Sequence, residues 1–124
     1  MLFRSRHVDV VKMDVEGAEL LVLRGARACL RSQPPSLMIM EAAEPHAQSL
    51  GYSTIDLKVY LAEYGYEIYR LRRATKPVPA VIGTAESYAN LAAIHQTAPA
   101  RYRDALFGSW ALGETGVGQP RSKD

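Results

Sequence analysis

The chain has 124 residues, 48% of them hydrophobic and 23% charged, with a formal net charge of +2. That is enough for one small domain, and it excludes both a two-domain protein and a wholly disordered chain. The near balance of charge, with the basic residues dispersed, excludes an electrostatic nucleic-acid binder, which needs a clustered basic face.

The elements follow from apolar spacing and from the residues that punctuate it. A first strand is predicted over about Val8 to Met13, a β-branched apolar run suited to burial. Asp14 follows it as an N-cap, and Glu16 and Glu19 then fall in the first helical turn, where the helix dipole favours negative charge. The helical pattern runs from about Glu16 to Ser32, apolar at Leu20, Leu21, Leu23 and Leu30. Gly25 inside it costs about 1 kcal/mol against alanine and predicts two short helices meeting there. Gln33-Pro34-Pro35 ends the helix, because a residue before proline avoids helical dihedrals.

A second strand, Leu37 to Met40, reads as covered on both faces, and Glu41 to Ser53 reads as a loop. Ser53 or Thr54 caps a helix over about Ile55 to Glu63, and Gly65 takes the left-handed position after it. A third strand is predicted at about Tyr66 to Leu71. Lys76 to Ser87, with Pro77, Pro79 and Gly83, reads as a loop. A fourth strand spans Ala89 to His95, and Ala100 to Phe107 is a short amphipathic helix. Residues 1–107 therefore form one domain, and residues 108–124 are predicted to be a disordered tail. The alternation of strand and helix argues for an α/β fold of about four mostly parallel strands with helices on the sheet faces.

The chemistry gathers where strands end. Asp14 and Glu16 lie at the carboxyl end of a strand, the place where open α/β sheets put their ligand crevice. As helix caps each contributes on the order of 1 kcal/mol. As general bases for an acceptor hydroxyl, groups of this kind are worth roughly 10²–10⁴-fold in rate. Position alone leaves the two readings even. Glu41 ends the second strand and His46 lies in the loop beyond it, both candidates for the acceptor side. Lys12 is mid-strand and would take Glu41 as its partner if buried; Glu19 reads as a solvated helix residue.

The remaining features point to structure. Cys29 is the single cysteine, so no disulfide forms within the chain, and a buried inert thiol is expected on a helix face. Arg70, Arg72 and Arg73 form the densest basic group and read as a solvated strand end. Tyr52, Tyr60, Tyr64, Tyr66 and Tyr69 are expected at the helix–sheet interface. No metal-ligand spacing is recognisable. No apolar run reaches membrane length and Met1 to His7 is no signal core, so the protein is expected in the cytoplasm.

One segment carries a family resemblance. Lys12-Met13-Asp14-Val15-Glu16-Gly17-Ala18-Glu19, followed by Val22-Leu23-Arg24-Gly25-Ala26, resembles the FkbM family of S-adenosylmethionine-dependent methyltransferases. Ser36 to Glu41, Tyr64 to Tyr69 and Ala89 to Ile94 look like later strands of that family. The resemblance implies a partial Rossmann-like methyltransferase fold whose last strand inserts antiparallel between the second and third. It implies S-adenosylmethionine as cofactor, a small-molecule acceptor methylated on oxygen, Asp14 and Glu16 as catalytic residues, and Glu41 and His46 as acceptor-binding residues. The family's glycine-rich cofactor loop has no counterpart here, so the chain reads as the C-terminal half of such a domain, with its cofactor-binding residues unassigned and its activity alone expected to be slight. Its first strand would then be an exposed edge, open to pairing with a separate N-terminal half or with a second copy.

Overall fold

The structure is a computed structural model that describes residues 8–108. Five strands are seen there: β1 (Val10–Met13), β2 (Leu37–Ala42), β3 (Tyr66–Arg72), β4 (Thr75–Pro79) and β5 (Ala89–His95). They form one sheet in the order β1-β2-β5-β3-β4. Five helices accompany it: α1 (Glu19–Gly25), α2 (Arg27–Ser32), α3 (Glu44–Ser49), α4 (Thr54–Glu63) and α5 (Ala100–Phe107).

The fold is α/β, but the sheet is mostly antiparallel rather than mostly parallel. Only β1 and β2 pair in parallel among the described strands. β5 lies antiparallel between β2 and β3, as the resemblance implied. β4 and β5 both run antiparallel to β3 and so share one direction, and the irregular stretch 80–88 carries the chain from one side of β3 to the other without a helix. β3 and β4 form a hairpin in which Arg72 faces Thr75 across a two-residue turn. β4 falls in the stretch predicted as a loop because of its prolines. Proline cannot donate to a ladder, yet it is tolerated in an outer strand, and β4 is one.

Register and alternation decide which side chains meet. Met13, Met38, Met40, Tyr66, Ile68, Leu91 and Ala93 share one sheet face and pack with Leu20, Leu23, Leu30, Leu57 and Leu61 from α1, α2 and α4. The apolar core therefore lies on that face. The opposite face carries Lys12, Ile39, Glu41, Asn90, Tyr69 and Leu71 in matching rows. Over it lies α5, whose Phe107 meets the Tyr69 ring edge-on, with centroids 5.3 Å apart.

Local expectations divide. Ser53 caps α4 by accepting from the Ile55 amide at 3.1 Å, while Asp56 accepts from the Ser53 amide at 2.9 Å. α1 and α2 meet at Ala26, one residue past the expected glycine break. Asp14, however, caps nothing. A turn over Val15 to Ala18 intervenes, closed by Ala18 N–H donating to the Val15 carbonyl at 3.2 Å, and α1 starts only at Glu19. Glu16 therefore lies in that turn at φ +48° rather than in the first helical turn. α3 occupies part of the predicted loop after Glu41; Pro45 in its first turn starts a helix well, since the missing N–H has no helical partner there.

β1 is an outer strand of the sheet, and Val8 and Val10 are each about half exposed, at 50% and 51%. No helix among the described residues is long and apolar enough to cross a membrane. The predicted tail, beyond Gly108, lies outside the described residues.

Candidate functional site

Parallel pairing of β1 with β2 puts their carboxyl ends at one rim of the sheet, and antiparallel β5 brings its amino end to the same rim. Asp14 follows β1, Glu41 lies near the end of β2, and Tyr88 precedes β5. The Tyr88 hydroxyl donates to Glu41 Oε2 at 3.1 Å. That bond to a carboxylate pushes the Tyr88 phenol above its ordinary pKa, and the negative charges of Glu41 and Asp14 add to it. Asp14, Glu41 and Tyr88 thus form one electronegative cluster on an open rim; Tyr88 is 56% exposed.

Glu16 and His46 stand beside this cluster through their backbones. Gly17, at φ +98°, packs so tightly on α3 that a Cβ there would lie 2.7 Å from His46 Cβ and 2.9 Å from its carbonyl carbon. Only glycine fits that close approach and that dihedral. The Tyr52 hydroxyl donates to the Gly17 carbonyl and pins the same turn from below. Both Glu16 and His46 are exposed. Two groupings result: Asp14 and Glu41 both act on Tyr88, and the turn that holds Glu16 packs on His46.

Other expectations change. Lys12 is exposed on β1 and makes no ion pair with Glu41. Cys29 is exposed rather than buried, because α2 turns only Leu30 into the core. Glu19 is 2% exposed rather than solvated. The turn before it delays the helix and brings Glu19 in beside Tyr52, where its Oε2 has no partner among the described residues. Tyr52 titrates above its ordinary range, first because it is buried and then because of the Glu19 charge.

A buried polar network holds the segment that leads into Tyr88. Lys58, fully buried in mid-α4, donates to the Val81 carbonyl at 2.6 Å, to the Thr84 carbonyl, and to Glu86 Oε2 at 2.7 Å. All three ammonium protons are thereby used. The Glu86 amide donates to Thr54 Oγ1 at 2.7 Å, and the Glu86 carbonyl accepts from the Glu44 amide at 2.7 Å. Arg70 Nε sits 3.1 Å from Glu86 Oε1 as an ion pair, although its N–H is not aligned for a hydrogen bond. Glu44 in turn accepts from Gln48 Nε2 at 2.6 Å and from the Thr54 side chain and amide at 2.7 and 2.8 Å. The Gln48 bond and then the Thr54 bonds hold its carboxyl at a pKa of about 2. Glu86 thus ties α3, α4 and β3 together two residues before Tyr88.

Sequence reasoning missed Tyr88, Glu86 and Lys58. For Lys58 a signal existed, since Thr54, Lys58 and Leu61 share one helical stripe and a lysine on an inward stripe needs an internal partner. Tyr88 and Glu86 lie in an irregular stretch with no periodicity to place them.

Could these residues hold S-adenosylmethionine? In the turn after β1, His46 fills the space over Gly17. The described residues make a wall of acidic and phenolic groups and do not make a cofactor cradle. No cluster of three or more His, Cys, Asp or Glu side chains that could hold a metal is found among them. A groove of about 770 Å³ lined by Arg31, Glu63, Tyr64 and His95 lies at the opposite rim, where β5 ends, away from these groups. There His95 Nε2–H donates to the Tyr64 carbonyl at 2.8 Å, and Nδ1 accepts from the Thr97 amide at 3.2 Å.

Comparison with known proteins adds one finding. The model of the methyltransferase FkbM domain matches residues 2–68, just over half of the chain, which includes β1, α1 and β2 and reaches into β3. No curated protein and no solved structure matches the chain.

Proposed function

Because the chain belongs to the FkbM methyltransferase domain family, we propose that its acidic rim is the acceptor end of a methyl-transfer site. The reaction is transfer of a methyl group to an oxygen, on a sugar or a secondary metabolite, with S-adenosylmethionine as the donor. The observation that carries this reading is the Tyr88–Glu41 hydrogen bond beside Asp14, at the carboxyl end of β1. A hydroxyl seated between Glu41 and Asp14 has a carboxylate within reach to take its proton, which is the part that side chains play in making an oxygen nucleophilic. Tyr88 donates a hydrogen bond to that carboxylate and so holds it in place. Glu16 and His46 flank the acceptor from the adjoining turn and helix.

On this reading the described residues supply the acceptor wall alone. Such transfers depend mainly on holding nucleophile and methyl carbon in line. The chain by itself is therefore expected to bind S-adenosylmethionine weakly or not at all. Isothermal titration checks this, and micromolar binding would contradict it. Glu41→Gln in an assembled, active enzyme is expected to lower the rate at least 10²-fold; an unchanged rate would remove Glu41 from the mechanism.

A second reading has its own observation, the outer edge of β1, which pairs with no strand among the described residues and where Val8 and Val10 are half exposed. Such an edge is a template for another strand. On this reading the chain is a module that pairs there with a separate N-terminal half or with itself. Light scattering behind size-exclusion chromatography tests it, and a monomer at all concentrations, unchanged by a candidate N-terminal half, would count against it.

A further inference from the structure

The rim that carries Glu41 and Tyr88 is charged oppositely at its two ends. Glu41 faces Asn90 across β2 and β5, and Asn90 faces Leu71 across β5 and β3, so these three residues form one row. Arg72 ends β3 opposite Thr75, on the other sheet face from Leu71, and Arg73 follows it in the two-residue turn with Ala74 at φ +59°, so both leave the sheet at this rim. They stand two strands along from Glu41, at about 10 Å for strands some 4.8 Å apart. Both are exposed. Their neighbours on this half of the sheet are satisfied, since Arg70 pairs with Glu86 and Arg103 with Glu67. Arg72 and Arg73 have no carboxylate partner among the described residues. At the other end Asp14, Glu16 and Glu41 have no cationic partner among them either.

Two guanidinium groups at a hairpin, on the same rim as an acidic patch, can orient a ligand. The carboxylates repel an anionic group, while the arginine forks match the oxygen geometry of a phosphate. A ligand with a phosphate at one end and hydroxyls at the other has one favoured direction along the rim. It places the phosphate at the hairpin and a hydroxyl at Glu41 and Tyr88.

We infer that the acceptor is a phosphorylated polyhydroxy compound, its phosphate bound by Arg72 and Arg73 and its hydroxyl presented to Glu41. This rests on the methyltransferase reading for the identity of the rim as an acceptor site. The phosphate contact itself rests on the hairpin.

The test is nuclear magnetic resonance titration of the full chain with glucose 1-phosphate, glucose and inorganic phosphate. Glucose 1-phosphate is expected to shift the Arg72, Arg73 and Tyr88 amides saturably, and glucose to shift none of them. The double variant Arg72→Gln/Arg73→Gln is expected to weaken that binding at least tenfold and leave the fold unchanged, because both side chains are exposed. The inference fails if glucose binds as well as its phosphate, if the double variant binds equally, or if no ligand binds. It also fails if inorganic phosphate shifts the arginines while the sugar phosphate leaves Tyr88 unmoved, which would mark an adventitious anion only. Methyl-transfer assays on the assembled enzyme separate the two claims. Sugar phosphate bound but never methylated counts against the methyltransferase reading alone. Methylation of neutral alcohols without preference for phosphorylated ones counts against the phosphate site alone.

Discussion

Replacing Lys58 by methionine removes the one cation buried in α4 and keeps the length of the side chain. The loss can be worked out from its contacts. Glu86 Oε2 loses its partner while the side chain stays 7% exposed, and the carbonyls of Val81 and Thr84 lose their donor. Breaking a buried ion pair from one side costs about 3–5 kcal/mol, because the remaining charge is left uncompensated. Arg70, itself 41% exposed, still stands against the other Glu86 oxygen, which favours the lower end of that range. A loss of about 3 kcal/mol corresponds to a drop in Tm of roughly 10–15 °C for a domain of this size. Urea unfolding followed by circular dichroism measures it, with the slope unchanged. The double variant Lys58→Met/Glu86→Gln should regain part of the loss, since a neutral pair no longer buries an orphan charge. A loss in Lys58→Met below about 1 kcal/mol would refute the reasoning, because it would mean that water reaches Glu86 and screens it.

Glu44 gives a pH prediction of definite sign. Its carboxyl is held at about 2 in the folded chain, below the ordinary value of 4.5, so the stability it lends is present at neutral pH and is lost as pH falls from the ordinary carboxylate range towards 2. Carbon-detected titration of Glu44 checks the value, and Glu44→Gln should flatten this part of the acid-unfolding profile. Gly17→Ala forces a methyl group to 2.7 Å from His46 Cβ at a dihedral of +98°, so a loss of about 2 kcal/mol or more is expected on thermal unfolding. Tyr88 should ionise above the ordinary tyrosine range of about 10, and Glu41→Gln should bring it down towards that value in an ultraviolet titration. An unshifted Tyr88 in the parent chain would mean that the rim cluster does not form.

Much of the outline could be read from residue order. β5 and α5 were expected at their observed bounds because short apolar and amphipathic runs between breakers have one good solution. Ser53 and Gly65 announced the ends of α4, since a cap and a left-handed turn are local chemistry. Strand direction was less readable. Antiparallel insertion of β5 came from the family resemblance, and the sequence pattern alone favoured parallel strands. β4 was hidden by prolines that only an outer strand tolerates, and α3 by its shortness.

The sequence by itself determined that carboxylates cluster where an apolar strand gives way to a helix, because a buried strand and its polar terminus leave a local mark. It determined the family by the same motif. Only the tertiary structure decided which partners those carboxylates have. Pairing of β2 with β5 brought Tyr88 to Glu41, 47 positions away in the chain, and packing of α4 brought Lys58 to Glu86. Periodicity records which face of an element is buried. It holds no record of which distant segment arrives to cover that face, because that choice depends on sheet order and register.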